Sequence, residues 1–351
     1  MRCLGSAGVE LETSATVPPT ATATGLSVRA SPRRPSTSAD LYLDVWDATG
    51  RHIASTISVT YNPYPDNQAV GMRMSRHDAL AGIRVTCVAV YVPALAAAQR
   101  LRESGARISV VEPPSGDPLE TLAPAWYHRL HEGIAARRMD LKSAEGSAQF
   151  GELLADTDVL LIALRPSAAE RLGLGWTALH ERFPMLCVVS IVGHASPNAE
   201  RPGHDLTYQA ASGLIAPPAL PRTLLADLAG AERTAYVAAT LLVARARTGV
   251  GHRSEVSLEE SLAPFAEPYS YGVTKSDGLF GGALPRYALY KTSDGWIAVA
   301  ALESHFWRRL CDALGGGELD RDGLERAFAK QSVEYWARWA RERDLPIAAV
   351  E

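Results

Sequence analysis

The sequence predicts an α/β protein: a large domain built on a largely parallel sheet, a smaller α+β domain after it, and a disordered N-terminal extension. Three observations carry that prediction. From Ala79 onward short apolar runs alternate with amphipathic stretches. Residues 11–38 are rich in Ser, Thr, Ala and Pro and poor in large apolar groups. The chain is 351 residues long and 47% hydrophobic, enough to bury a substantial core.

The charge balance excludes other classes. Lys and Arg number 35 against 39 Asp and Glu, for a formal charge of −4. That argues against a nucleic-acid binder working by bulk electrostatics. No apolar run approaches the roughly 18 residues that a membrane-spanning helix needs. The four cysteines, Cys3, Cys87, Cys187 and Cys311, lack the close spacing of a disulfide framework or a zinc ribbon. No long apolar core follows Met1, so a cytoplasmic protein is expected, with no nucleic-acid or membrane partner.

In chain order, residues 1–40 read as disordered, because such a composition cannot offset its ordering entropy. Residues 41–78 hold a short β segment, with two strands around a turn at Ala48-Thr49-Gly50. The large domain spans 79–270. Its first strand is Ile83–Val90, and the next helix opens at Pro93, presents Ala94, Leu95, Ala98 and Leu101, and ends at Gly105. Ile108–Val111 completes a β-α-β unit. Asp158–Leu164 and Met185–Val192 are further strands, and Ser167 with Glu170 has the spacing of a capping box between them. A long helix runs from about Gly230 to Arg247, closed by Gly249, and Ser254–Leu258 is one more strand. This is a Rossmann-like order. Its first β-α turn, Val88-Ala-Val-Tyr-Val-Pro93, lacks the glycines that let amides approach a pyrophosphate, which argues against NAD or FAD bound in the usual manner. Residues 271–351 form the small domain.

Single residues are ambiguous. His204 is one of nine histidines, Asp227 fits a carboxylate favoured by a helix dipole, and Glu303 fits an N-cap between a strand, Trp296–Ala301, and a helix. His128 and His131 could share a helix face, but no third ligand is evident, so no metal is expected.

The ordered motifs resolve more. They are Leu80-Ala-Gly-Ile-Arg-Val85, Val111-Glu-Pro-Pro-Ser-Gly-Asp-Pro118, Arg137-Arg-Met-Asp-Leu-Lys142, Arg165-Pro166, Glu170-Arg-Leu-Gly-Leu-Gly175, Arg201-Pro-Gly-His-Asp205, Arg247-Thr-Gly-Val-Gly-His252 and Ala301-Leu-Glu-Ser-His-Phe306. In that order residues 79–350 resemble the family III CoA-transferases (CaiB/BaiF), and within them the α-methylacyl-CoA racemases. The resemblance implies an acyl-CoA substrate, no cofactor beyond that CoA thioester, and a homodimer of interlocked chains. It implies a catalytic aspartate matching Asp227, in Leu225-Ala-Asp227-Leu-Ala-Gly230. In the transferases that carboxylate carries the acyl group. In the racemases it works opposite a histidine of a Gly-His-Asp motif, matching His204 and Asp205, and a glutamate matching Glu303 orients the histidine.

Such chemistry needs these residue types. Inverting a centre beside a thioester carbonyl requires two groups that exchange acid and base roles on opposite faces. A His/Asp pair can be tuned for that near neutral pH. Arg137, Arg138, Arg165 and Arg171 are the expected phosphate-binding cations, since guanidinium forks suit phosphate. The resemblance has departures. Residues 1–78 lie outside it, Ala163-Leu164 replaces the family's usual Glu-Asn or Glu-Gly after the Asp158 strand, and the family's chain continues beyond the point matching Leu345–Glu351 to complete its large domain. The expectation is therefore a 2-methylacyl-CoA racemase-like enzyme. The alternatives are a CoA-transferase with an aspartyl acyl intermediate and a truncated, non-catalytic CoA-binding remnant.

Overall fold

A computed structural model of the chain describes residues 79–317 and 319–351 in full, and before them the backbone of three strands. Those strands, β1 (Ser27–Ser31), β2 (Ala39–Trp46) and β3 (His52–Tyr61), form an antiparallel sheet in that order. The expected hairpin is thus β2–β3, with Leu41 opposite Val59. Within the span read as disordered, the backbone of β1 is described, with Val28 opposite Val45. Backbone pairing with the β2 edge needs no large apolar side chains. The rest of that span, and the turn at 48–50, lie outside the described residues.

Residues 74–351 form a separate compact unit. Its main sheet holds β4 (Arg84–Val88), β5 (Arg107–Glu112), β6 (Ala135–Arg138), β7 (Val159–Ile162), β8 (Cys187–Val192) and β9 (Arg253–Ser257). They are ordered β6-β5-β4-β7-β8-β9 and every pairing is parallel. Strand order reverses between β4 and β7, the point at which doubly wound sheets bind ligands outside the carboxyl ends of their strands.

Period-2 burial explains the continuous apolar runs. Val85, Cys87, Val159, Leu161, Cys187 and Val189 face one core, with helices α1 (Val92–Glu103), α2 (Leu119–Leu122) and α3 (Pro124–Leu130) on that side. Val88, Leu160, Ile162 and Val188 face a second core closed by α4 (Ala144–Ala155), α5 (Pro166–Arg171) and α6 (Trp176–Arg182). The short α7 (Asp205–Ala211), the 24-residue α8 (Leu225–Thr248) and α9 (Leu258–Ser270) complete the first side. The small domain packs β10 (Tyr287–Lys291), β11 (Trp296–Ala300) and β12 (Ile347–Ala349) against α10 (Ser304–Ala313), α11 (Arg321–Phe328) and α12 (Val333–Glu342). Its core is aromatic, with Phe328 edge-on to Trp336 at 5.0 Å.

Two local readings are corrected. The long helix starts at Leu225, five residues before Gly230, because the distant Asp205 carboxylate accepts from the Ala226 and Asp227 amides. Gly230 sits inside it, since a Cβ there would run into Leu258. Ser167 and Glu170 form no capping box: Ser167 bonds Glu200 through its N–H and its hydroxyl, and Arg165 takes the N-cap position of α5. Gly249 does close α8, at φ 76°. Among the described residues no helix is long and apolar enough to cross a membrane.

Candidate active site

The reversal point holds a cavity of about 630 Å³, within the range of small-molecule sites. Its walls come from the turn after β4 (Val90 to Pro93), the turn after β7 (Ala163 to Arg165), the end of β8 (Ile191 to Gly193), the stretch Arg201 to Leu206, and Asp227. Leu119, Trp126, Leu224 and Leu258 add apolar surface. The first β-α turn does without glycine. Tyr91 adopts φ 67° there, and its N–H donates to Asp117 Oδ2 at 2.8 Å, while Asp117 Oδ1 accepts from the Leu119 N–H at 2.8 Å. The buried Asp117 thus fixes a turn that propensity alone would not choose.

Asp205 is 5% exposed and fully engaged. Its Oδ1 accepts from the N–H groups of Ala226 (2.7 Å) and Asp227 (3.1 Å), and its Oδ2 from Gln209 Nε2 (2.6 Å). A carboxylate on the first amides of α8 is favoured by the helix dipole and fixes where Asp227 stands. Burial, and next the Asp205 charge, push the Asp227 carboxyl from 3.8 up to about 7. A carboxyl so poised can either take or give a proton at neutral pH. His204 lines the same cavity from the N-cap position of α7, where its N–H donates to Thr207 Oγ1 at 3.1 Å.

Of the expected site residues, His204, Asp205 and Asp227 therefore meet around one cavity, with Arg165 on its rim. Glu303 does not line it. It stands at the N-cap position of α10, exposed and with no side-chain capping bond. Arg137 and Arg138 lie on the edge strand β6, which sequence patterning missed. Arg138 is paired with Glu120 (2.6 Å) and lies 3.7 Å from Glu112, so its charge is already balanced. Arg137 and Arg171 are exposed, with no ion pair among the described residues. His131 lies against Tyr127 and Glu112, and among the described residues no group of three His, Cys, Asp or Glu side chains could hold a metal ion. Sequence reasoning missed Tyr91, Arg201 and Tyr208 as cavity residues. Arg201 was visible in the Arg201–Asp205 motif, and Tyr208 lies one helical turn beyond His204.

A doubly wound sheet with an imidazole and a proton-poised carboxyl in the crevice at its reversal point is the arrangement of an enzyme. The chain belongs to CoA-transferase family III, whose family model matches residues 80–351. It is 28% identical to a CaiB/BaiF CoA-transferase family protein of Caenorhabditis elegans, over 77% of this chain and 85% of that one. It is 26% identical to the acetyl-CoA:oxalate CoA-transferase of Acetobacter aceti (70% and 74%) and 29% identical to the human α-methylacyl-CoA racemase (68% and 65%). Among solved structures, a hypothetical protein of Mycobacterium tuberculosis shares the fold at TM-score 0.69, with 24% identity over 78% of this chain and 86% of that one. The protein is an enzyme of the CoA-transferase and racemase superfamily.

Proposed function

We propose that the protein exchanges the α-proton of a 2-methylacyl-CoA between the two faces of its C2 carbon, as a racemase does. The observation that carries this reading is one cavity lined by both His204 and an Asp227 carboxyl poised near pH 7. Ionised Asp227 removes the C2 proton, the C–H electron pair becomes the enolate, and protonated His204 returns a proton to the opposite face. The reverse direction exchanges the two roles. The CoA thioester is the substrate and no further cofactor takes part. Arg165 and Arg201, on the cavity rim, supply cations for its phosphates. Glu303 does not line the cavity of its own chain. We further propose a homodimer. Phe265, Tyr269, Tyr271, Leu279 and Phe280 form an exposed apolar stretch that a second copy would cover.

Deuterium wash-in tests the activity. A 2-methylacyl-CoA incubated with the protein in D₂O gains deuterium at C2, and Asp227→Asn loses that gain for the epimer whose proton Asp227 removes. A folded wild-type protein that leaves C2 unlabelled sinks the reading. The second reading is CoA transfer through an Asp227 acyl anhydride, favoured by the position of Glu303 and by the CoA-transferases among the relatives. Hydroxylamine or borohydride traps such an adduct at Asp227, and proton exchange yields none.

A further inference from the structure

Tyr208 is 2% exposed, its ring sunk in the main core and edge-on to His194 at 5.2 Å. His194 is itself held by Glu259, with Nδ1 to Oε2 2.7 Å apart. The hydroxyl has different surroundings. It makes no hydrogen bond among the described residues, yet it is not one of the buried polar atoms sealed from solvent without a partner. Tyr208 lines the same cavity as His204 and Asp227. The backbone makes room for this oxygen from two sides: a Cβ on Gly203 would lie 2.5 Å from it, and a Cβ on Gly193 would collide with it. Both glycines line the cavity. A ring kept only for packing needs no hydroxyl, and this one opens to the cavity without a hydrogen-bond partner among the described residues. Burial, and next the nearby Asp227 charge, raise the Tyr208 pKa, so the phenol stays protonated and keeps a hydrogen to donate at neutral pH.

We propose that the Tyr208 hydroxyl is a catalytic hydrogen-bond donor that binds the thioester carbonyl oxygen of the acyl-CoA and the enolate oxygen formed from it. This rests on the acyl-CoA reading of the same cavity. When the C2 proton leaves, its electron pair forms the C1–C2 double bond and the carbonyl π pair moves onto oxygen. Tyr208 keeps its proton throughout and strengthens its hydrogen bond as that charge grows. A donor fixed in advance by a buried ring costs no reorganisation at the moment of reaction.

The test uses the full chain and a 2-methylacyl-CoA labelled with ¹³C at the carbonyl. Isotope-edited infrared spectroscopy reads the bound carbonyl stretch. The wild-type complex shifts it to lower frequency than in water, Tyr208→Phe removes that shift, and site-specific Tyr208→3-fluorotyrosine, a stronger donor, enlarges it. In deuterium wash-in Tyr208→Phe lowers kcat by about 10²- to 10³-fold, the loss typical of one oxyanion donor, with KM little changed. Coincident carbonyl bands in wild type and either variant overturn the proposal, as does an unchanged kcat. If Tyr208→Phe fails to fold, the fluorotyrosine comparison decides. If wild type binds the ester without washing in deuterium, proton exchange falls, while the band comparison still judges Tyr208. If no ester binds, both fall.

Discussion

Asp205 stands beside the proposed acid–base group without itself transferring a proton, and Asp205→Asn isolates what its charge does. The Asp227 carboxyl is displaced from 3.8 to about 7, first by burial and second by Asp205. As the smaller cause, the Asp205 charge accounts for less than half of that rise. Removing it lowers the Asp227 pKa by about one unit, or ~1.4 kcal/mol of differential interaction. The carboxyl stays well above the ordinary carboxylate range because burial persists. The variant also has a structural cost. Its Oδ1 still accepts from the Ala226 and Asp227 amides, now as a neutral acceptor. Its new amide nitrogen would face Gln209 Nε2, which also donates to the Thr223 carbonyl at 3.0 Å. Turning the Gln209 amide over restores one hydrogen bond and loses the other, so about 1–2 kcal/mol of stability goes, counting the weaker cap. The assay is a ¹³C NMR titration of carboxyl-labelled aspartate, assigned by difference against Asp227→Asn, beside thermal unfolding of the same samples. An Asp227 titration that stays put or moves upward in folded Asp205→Asn refutes the reasoning.

Other perturbations give equally plain outcomes. Asp227→Asn should stabilise the protein at neutral pH. Between 3.8 and about 7 the folded state binds more protons at this carboxyl than the unfolded state does, so wild-type stability falls as pH rises through that window. The variant's advantage is absent at pH 3 and reaches about 2 kcal/mol above pH 7, after discounting a full three-unit shift for partial solvent access, and denaturant melts across pH read it. Gly251→Ala sets a Cβ against the Leu186 backbone, which cannot move aside as a side chain can, and should cost at least about 2 kcal/mol in thermal unfolding. Arg165→Ala should raise KM for a CoA thioester several-fold with kcat less affected, because a phosphate contact binds ground and transition states alike.

Much of the fold was legible in the sequence because parallel strands buried on both faces read as continuous apolar runs: Val159–Ile162 is buried at every position. The edge strand β6 was not, since Ala135 to Arg138 is exposed throughout and is held by backbone pairing to β5. Local start signals failed where the capping group is remote. The carboxylate that caps α8 comes from Asp205, more than twenty residues upstream, and the one that bonds the start of α5 comes from Glu200. At the site, motif order led to His204, Asp205 and Asp227, which the fold gathers around one cavity. The ordered motifs did not reveal that Asp205 positions α8, that Asp117 locks Tyr91, or that Glu303 stands outside the cavity, because each depends on how distant segments pack.

Epimer-resolved wash-in reads whether Asp227 and His204 serve opposite faces of one carbon. The (2R) and (2S) forms of a 2-methylacyl-CoA are incubated separately in D₂O with wild type, His204→Ala and Asp227→Asn, and C2 label is read at early times. Wild type should label both epimers, while each variant retains first-step proton removal from only one, with the two variants sparing opposite epimers. Loss of the same epimer in both variants, or full activity in either, contradicts the opposite-face assignment.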